Sequence, residues 1–404
     1  MEPSATQAMA SGKWRSITII AIAQIAAMSL WFVSAAILPE IVAEANIGPG
    51  RAAALASAVQ AGFVAGALIS AILGLADRFD PRIVFLLSAL LAAAANAALL
   101  LTTVGGAGQI AVRFATGGCL AGIYPVGMKI AVGWGQRDRG LLVGLLVGAL
   151  TLGSSVPHLI SWYGGTDWRL TVVAASVLAS LAGIVILAAR LGPHHARATA
   201  FDPRTVFLAW HNRRVRLAYA GYLGHMWELY AFWAWIGAAA GASFALTMPA
   251  AQATDLSKLT AFGAIAVGGL ACAPAGLLAD RIGKARVAQL AMIGSGTSAL
   301  ITALSFGGPA PLLIMLTLVW GLTVVPDSAQ FSALVADAAP PDRAGSLMTL
   351  QTALGFALTV FTVQITPWVA EGMGWPITLA VLAIGPALGV EAMRRLIAVT
   401  GNGR

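Results

Sequence analysis

Residues 276–284 read Gly276-Leu277-Leu278-Ala279-Asp280-Arg281-Ile282-Gly283-Lys284, and Leu75-Ala76-Asp77-Arg78 stands 203 residues before the segment Leu278-Ala279-Asp280-Arg281. Each copy closes a long apolar run with an acid and a base. Two further pairs keep nearly the same spacing. Asp138-Arg139-Gly140 matches Asp342-Arg343-Ala344-Gly345 at an offset of 204, and Pro125 matches Pro326 at 201. Three anchors at nearly one offset in a chain of 404 residues describe a duplicated unit of half the chain. In membranes such duplication is characteristic of secondary transporters, whose binding site lies between the repeats near the midplane.

The composition around the repeat agrees with a membrane setting. The chain is 59% hydrophobic and only 10% charged, against about 25% charged in a soluble protein. A water-facing surface cannot be built from so few charges. A spanning helix needs about 20 apolar residues, and runs such as 17–38, 83–101 and 312–325 supply them. Spans are expected at 14–38, 50–75, 82–103, 107–134, 139–162, 168–190, 215–243, 254–279, 285–306, 309–337, 343–370 and 375–397. Turn chemistry separates several of them: Gly48-Pro49-Gly50, Gly105-Gly106, Gly164-Gly165, Gly307-Gly308-Pro309 and Pro340-Pro341. The polar stretch 1–16, with Lys13 and Arg15, leads into the first run without a small-x-small cleavage site, so that run reads as a first spanning helix rather than a removed signal. The fold class is therefore an all-α membrane protein with twelve transmembrane helices in two pseudo-symmetric six-helix bundles. These are 1–191 and 215–404, joined by the linker 192–214 with Pro193, His194, His195, Arg197, Arg204, Arg213 and Arg214.

Net charge is +8, and nineteen of the 24 Lys and Arg residues fall on alternate loops that begin with the N-terminus. The other side carries only Arg51, Arg169 and Lys258. The positive-inside rule then places both termini and the linker in the cytoplasm of a cell (inner) membrane protein. An even number of spans agrees with twelve. No basic face interleaved with aromatics stands out, so nucleic acid is not an expected partner. Cys119 and Cys272 sit in apolar segments without a CxxC or His/Cys cluster, and read as small buried side chains. No metal and no cofactor is expected. A nucleotide-binding loop, GxSxG and HExxH are all absent, so an enzyme is not expected either.

These loops resemble the signature of the major facilitator superfamily over the whole chain. The pattern between the second and third spans of each half is Gly, three residues, Asp-Arg, one residue, Gly and a base. The second half is nearly complete at 276–284. The first half departs: Leu73 replaces the first Gly, with Gly74 one step late, and Asp80-Pro81 replaces the second. Asp77, Arg78 and Arg82 remain. Arg113-Phe114-Ala115-Thr116-Gly117 resembles a second family motif on the fourth span. The resemblance implies that Asp77, Arg78, Asp280 and Arg281 gate the cytoplasmic side. Residues 122–129 and 148–154 look like bacterial permeases grouped loosely with nitrate or cyanate carriers. Carriers of that kind place an Arg inside the second and the eighth span. Here those spans offer only Arg51 and Lys258, both read as lying at outer ends. The antiporter motif of the fifth span is also incomplete, since Gly144, Gly148 and Gly153 are present but no Pro follows Gly148.

An ionisable residue at bilayer depth costs about 2.5–3.5 kcal/mol on insertion scales, so each is a functional candidate. Arg113 shares a helical face with Tyr124 and suits an anionic group, with a pairing between helices as the competing reading. His225 and Glu228 lie one turn apart in the seventh span, spaced to share a proton; two ligands on one helix make a weak metal site. Asp327 follows Pro326 in the tenth span, with Trp320, Thr323 and Gln330 on its face. His158 reads as a structural histidine, and Lys129 as a base that snorkels to the interface. The expected function is a secondary active transporter of a small organic solute, anionic or zwitterionic, coupled to protons with Asp327 as carrier and Glu228 as second choice. The expected substrate and proton residues are Arg113, Tyr124, His225, Glu228, Asp327 and Gln330. An inorganic-anion carrier and a transport-inactive receptor are the alternatives. The expected partners are the solute, the proton and the lipid bilayer, around a monomer.

Overall fold

Within hydrocarbon every backbone N–H and C=O must find a partner inside the chain, which leaves helices or closed barrels. The computed structural model is helical, with no strand among the described residues. It describes residues 5–135, 138–194, 205–340 and 343–401, and gives backbone alone for 5–11, 76, 77, 205, 206, 208 and 401. The side chain of Asp77, and all of Arg137, His195, Arg197, Arg204, Asp342 and Arg404, thus lie outside the described residues.

In chain order the long helices are α1 (Gly12–Ala45), α2 (Pro49–Leu73), α3 (Pro81–Leu101), α4 (Ala107–Val132), α5 (Arg139–Gly164), α6 (Trp168–Ala188), α7 (Arg213–Phe244), α8 (Ala250–Ile282), α9 (Lys284–Leu304), α10 (Ala310–Ala338), α11 (Ala344–Met373) and α12 (Trp375–Thr400). Eleven are long and apolar enough to cross a membrane. The exception is α7. Its 32 residues span about 48 Å at 1.5 Å per residue, but tyrosines, tryptophans, His225 and Glu228 make it too polar for that class. Its place explains its composition: α7 packs against α8, α11 and α12, and a helix enclosed by others need not be apolar. The expected spans match these helices closely except for the first, which continues past 38 to Ala45. Pro39-Glu40 resembles a helix stop, yet Pro39 lies inside the segment Val33–Ala45.

In the first half α1 packs on α5 and α6, α2 on α4, and α3 on α4 and α6. In the second half α7 packs on α8, α11 and α12, α8 on α10, and α9 on α10 and α12. The halves meet along two lines, α5 against α8 and α2 against α11. Loop contacts sort onto two faces. On the basic face Arg82 donates to Ala189 O, Trp134 Nε1 to Arg190 O, Lys13 pairs with Asp138, and Lys284 with Asp337. On the far face Arg51 donates to Gly105 O and Trp168 Nε1 to Glu44. This sorting is the alternation read from the charges.

The α5–α8 line depends on small residues. A Cβ added at Gly148 would stand 2.7 Å from Gly269 O, and one at Gly269 would stand 2.9 Å from Gly148 O. Real side chains do not come that close, so the backbones touch because neither residue has one. Gly148→Leu should therefore cost about 1–3 kcal/mol and lower the thermal midpoint of the purified protein. Gly140→Leu, at a position with nothing within 4 Å, should leave the midpoint unchanged. Equal midpoints for both variants would show that the crossing tolerates a side chain.

Candidate functional site

Two of the membrane helices break where the repeat places Pro125 and Pro326. The fourth splits into Ala107–Leu120 and Tyr124–Val132, and the tenth into Ala310–Val324 and Ser328–Ala338. Proline supplies no N–H and cannot continue the ladder. A third break has no proline: α1 is Ala5–Met28 and Val33–Ala45, joined by a turn at 29–32. Its counterpart α7 runs unbroken.

Arg113 closes the break in α1. Its Nη2 donates to Leu30 O at 2.8 Å and to Trp31 O at 2.9 Å, its Nε to Ser34 Oγ at 2.7 Å, and its Nη1 to Asn96 Oδ1 at 2.6 Å. The side chain is fully buried. A cation at a helix C-terminus also meets the negative end of the helix dipole. The planar fork of arginine satisfies four acceptors from α1 and α3 at once, a geometry lysine cannot copy. All these partners belong to the first half, so the pairing between helices describes Arg113 as the structure places it. Gly117, one turn on in the same motif, lets α4 touch α2: an added Cβ would stand 2.0 Å from Val59 O.

The acids gather in the second half. His225 Nδ1 of α7 lies 2.9 Å from Asp327 Oδ1, with side-chain exposures of 1% and 2%. His225 Nε2 is 2.9 Å from Ser328 Oγ. Asp327 occupies the α10 break and precedes the segment Ser328–Ala338. Glu228, one turn from His225, is also buried. It accepts from Ser295 Oγ of α9 at 2.8 Å and from Trp320 Nε1 of α10 at 2.7 Å. His225 thus pairs with Asp327 across helices, and Glu228 takes its hydrogen bonds from α9 and α10. Gln330 is buried one turn after Asp327. Tyr124 opens the second segment of α4, within electrostatic reach of Cys272 on α8 and of Tyr222 and Tyr230 on α7.

Lys258 was read as a charge at a helix end. It lies near that end of α8 and is buried there, where Nζ donates to Glu40 Oε1 at 2.5 Å, Gly165 O at 2.8 Å and Ser161 O at 3.2 Å. Lys258 belongs to the second half and its three acceptors to the first, so this cluster fastens the halves together on the far face. His158 is buried and in electrostatic contact with Lys258. On the basic face Arg78, Asp280 and Arg281 are exposed, and no ion pair among the described residues involves them. Nothing local marks Glu40 as the partner, since 218 residues separate it from Lys258. The one available signal was that Lys258 is the sole lysine on the sparsely charged side. Asn96, Ser295 and Trp320 were missed as charge partners for the same reason.

Removing Arg113 should leave buried acceptors on α1 and α3 without donors. A buried acceptor left without its donor costs about 1–3 kcal/mol. Arg113→Met is expected to lower the folded yield and thermal midpoint strongly, and Arg113→Lys to recover only part. A midpoint for Arg113→Met equal to wild type would show that the break in α1 stands without its cap.

The fold is similar to that in a crystal structure of the nucleoside transporter NupG, with a TM-score of 0.70 and 14% sequence identity over 95% of this chain and 99% of that one. No curated protein sequence matches it. The family model of the Major Facilitator Superfamily matches residues 20–362. Repeat, loop signature, fold and family match agree: this chain belongs to the Major Facilitator Superfamily and is a multi-pass membrane transporter rather than an enzyme.

Proposed function

We propose that the protein is a proton-driven secondary transporter of a small organic solute, working by alternating access between the bodies 1–191 and 215–404. Both termini and the linker lie in the cytoplasm of the inner membrane in this reading. The observation that carries it is the His225–Asp327 pair, almost wholly buried beside a broken helix. An imidazole 2.9 Å from a carboxylate and sealed from water is a place where a proton loads or leaves only when a change of conformation admits solvent. Irregular backbone at membrane depth is tolerated where it lines such a cavity. Glu228 lies one turn after His225 on α7 and takes its hydrogen bonds from Ser295 and Trp320, so both acids gather around the same stretch of α7.

The conformation supports the cycle. The far face is held shut by Lys258 on Glu40, Ser161 and Gly165. Toward the basic face, residues 64–73 of α2 are partly or fully exposed while most of 52–63 is buried. Asp280 and Arg281 then stand free in solvent, ready to hold that face closed when the far face opens. Asp77 and Arg78 have the same role in the first half. An anionic solute would need Arg113, whose donors the first half already uses. A small organic solute without that requirement is the better fit, and nucleosides belong in any test panel because a structurally similar protein carries them.

The test is Asp327→Asn in reconstituted vesicles. The variant should lose uphill accumulation driven by a pH difference and keep counterflow of labelled solute, because exchange needs no net proton movement. A variant that still concentrates solute under a pH difference removes Asp327 as the carrier and moves the assignment to Glu228.

A further inference from the structure

Six aromatic rings meet where the halves join: Trp31 and Phe32 from the α1 turn, Phe63 from α2, Tyr230 and Trp233 from α7, and Phe356 from α11. Trp31 stands 4.9 Å from Phe63, 5.6 Å from Phe356 and 5.9 Å from Tyr230, centroid to centroid. Phe63 and Phe356 are 4.6 Å apart, and Phe32 and Trp233 5.6 Å. All six are at least nine-tenths buried. Most of these contacts cross from one half to the other. The indole N–H groups of Trp31 and Trp233 have no hydrogen-bond partner among the described residues. A buried indole ordinarily finds one, and leaving a polar group unpaired in a dry interior is costly.

The charges nearby are already engaged. Arg113 is used up on α1 and α3, Lys258 on Glu40, Glu228 on Ser295 and Trp320, and Asp327 on His225. Lys129 is not free either. The Arg113 bond to Trp31 O fixes the turn that aims Trp31 at the cluster, so the cation positions the ring rather than meeting solute.

We propose that this cluster is the solute site in its closed form, and that it takes an uncharged planar heteroaromatic molecule bearing hydrogen-bond acceptors. The proposal rests on the transporter reading above and names its substrate class. When the halves part on the far face, the rings of α1 and α2 separate from those of α7 and α11. A flat ring that enters between them restores the lost stacking, and its acceptors take the two vacant indole donors. An anion could reach the same two indole donors but would find no unused cation to offset its charge in this dry setting.

The experiment uses the purified full chain in nanodiscs with four probes: uridine, adenosine, benzoate and nitrate. Uridine or adenosine should raise the thermal midpoint and quench tryptophan fluorescence, and the two anions should do neither. Trp31→Phe and Trp233→Phe keep a ring and delete one donor. Each should weaken nucleoside binding about three- to tenfold, the size of one hydrogen bond, read as the ligand-induced shift from that variant's own unliganded midpoint. Binding of benzoate or nitrate alone overturns the proposal, as does wild-type nucleoside affinity in both Phe variants, or no binding of either nucleoside. Counterflow in vesicles separates this result from the broader one. Nucleoside binding with the expected losses but no counterflow of any probe leaves the site standing and defeats the transporter reading. Counterflow of benzoate without nucleoside binding does the reverse.

Discussion

A guanidinium that caps a broken helix inside the membrane is the contact on which the rest of this structure depends. Non-helical backbone in hydrocarbon leaves carbonyls that neither lipid nor water can satisfy. Arg113 takes the carbonyls of Leu30 and Trp31, and only with that cap can α1 turn at 29–32. The turn in turn sets the directions of Trp31 and Phe32, which form the first half's share of the central ring cluster. The same guanidinium ties α4 to Asn96 of α3, so one side chain fastens three helices of the first half. The second half solves the corresponding problem with the opposite charge. Glu228 on α7 gathers Ser295 of α9 and Trp320 of α10. Equivalent helix trios are thus held by a cation in one repeat and an anion in the other. Each half is cross-tied by a buried charge of its own.

Halves tied in this way leave movement to the surfaces between them. Those surfaces are of two kinds. Along α5 and α8 the backbones touch at Gly148 and Gly269, a contact that can pivot because it has no interlocking side chains to withdraw. At the far end the contact is ionic, with Lys258 on Glu40 and on two carbonyls of α5 and its loop. A buried ion pair is stable only while both partners stay together, which makes it a two-state element rather than a graded one. A solute or proton shifts such an equilibrium only by binding one state better than the other. The His225–Asp327 pair and the ring cluster are where such a preference can arise.

The architecture was legible in the sequence because its signals are local. Apolar runs of spanning length, glycine turns between them and the alternation of basic loops each concern neighbouring residues, and they place eleven of the twelve helices closely. The breaks in α4 and α10 are legible too, since Pro125 and Pro326 mark them. The break in α1 carries no such mark: Ser29-Leu30-Trp31-Phe32 contains neither Pro nor Gly, and its cause is a side chain 82 residues away. The candidate charges divide in the same way. Arg113, His225, Glu228 and Asp327 were found because an ionisable residue in an apolar run is visible by itself. Which groups they pair with was not, because partners 17 to 103 residues away are chosen by tertiary packing. Lys258 lies at the far end of its helix as its position implies, but its burial is not legible, because only the approach of α1 and α5 encloses it.

The central claim is that the Lys258–Glu40 contact keeps the far face closed and that breaking it opens that face. It is tested most directly by measuring a distance across the face. Spin labels at Ala43→Cys on α1 and Gln252→Cys on α8, both exposed positions, with Cys119 and Cys272 replaced by Ser, report it by pulsed electron resonance in nanodiscs. The account predicts one short, narrow distribution for the labelled protein, and a second, longer population when Lys258→Met is added. An unchanged single distribution in the Lys258→Met background would contradict it.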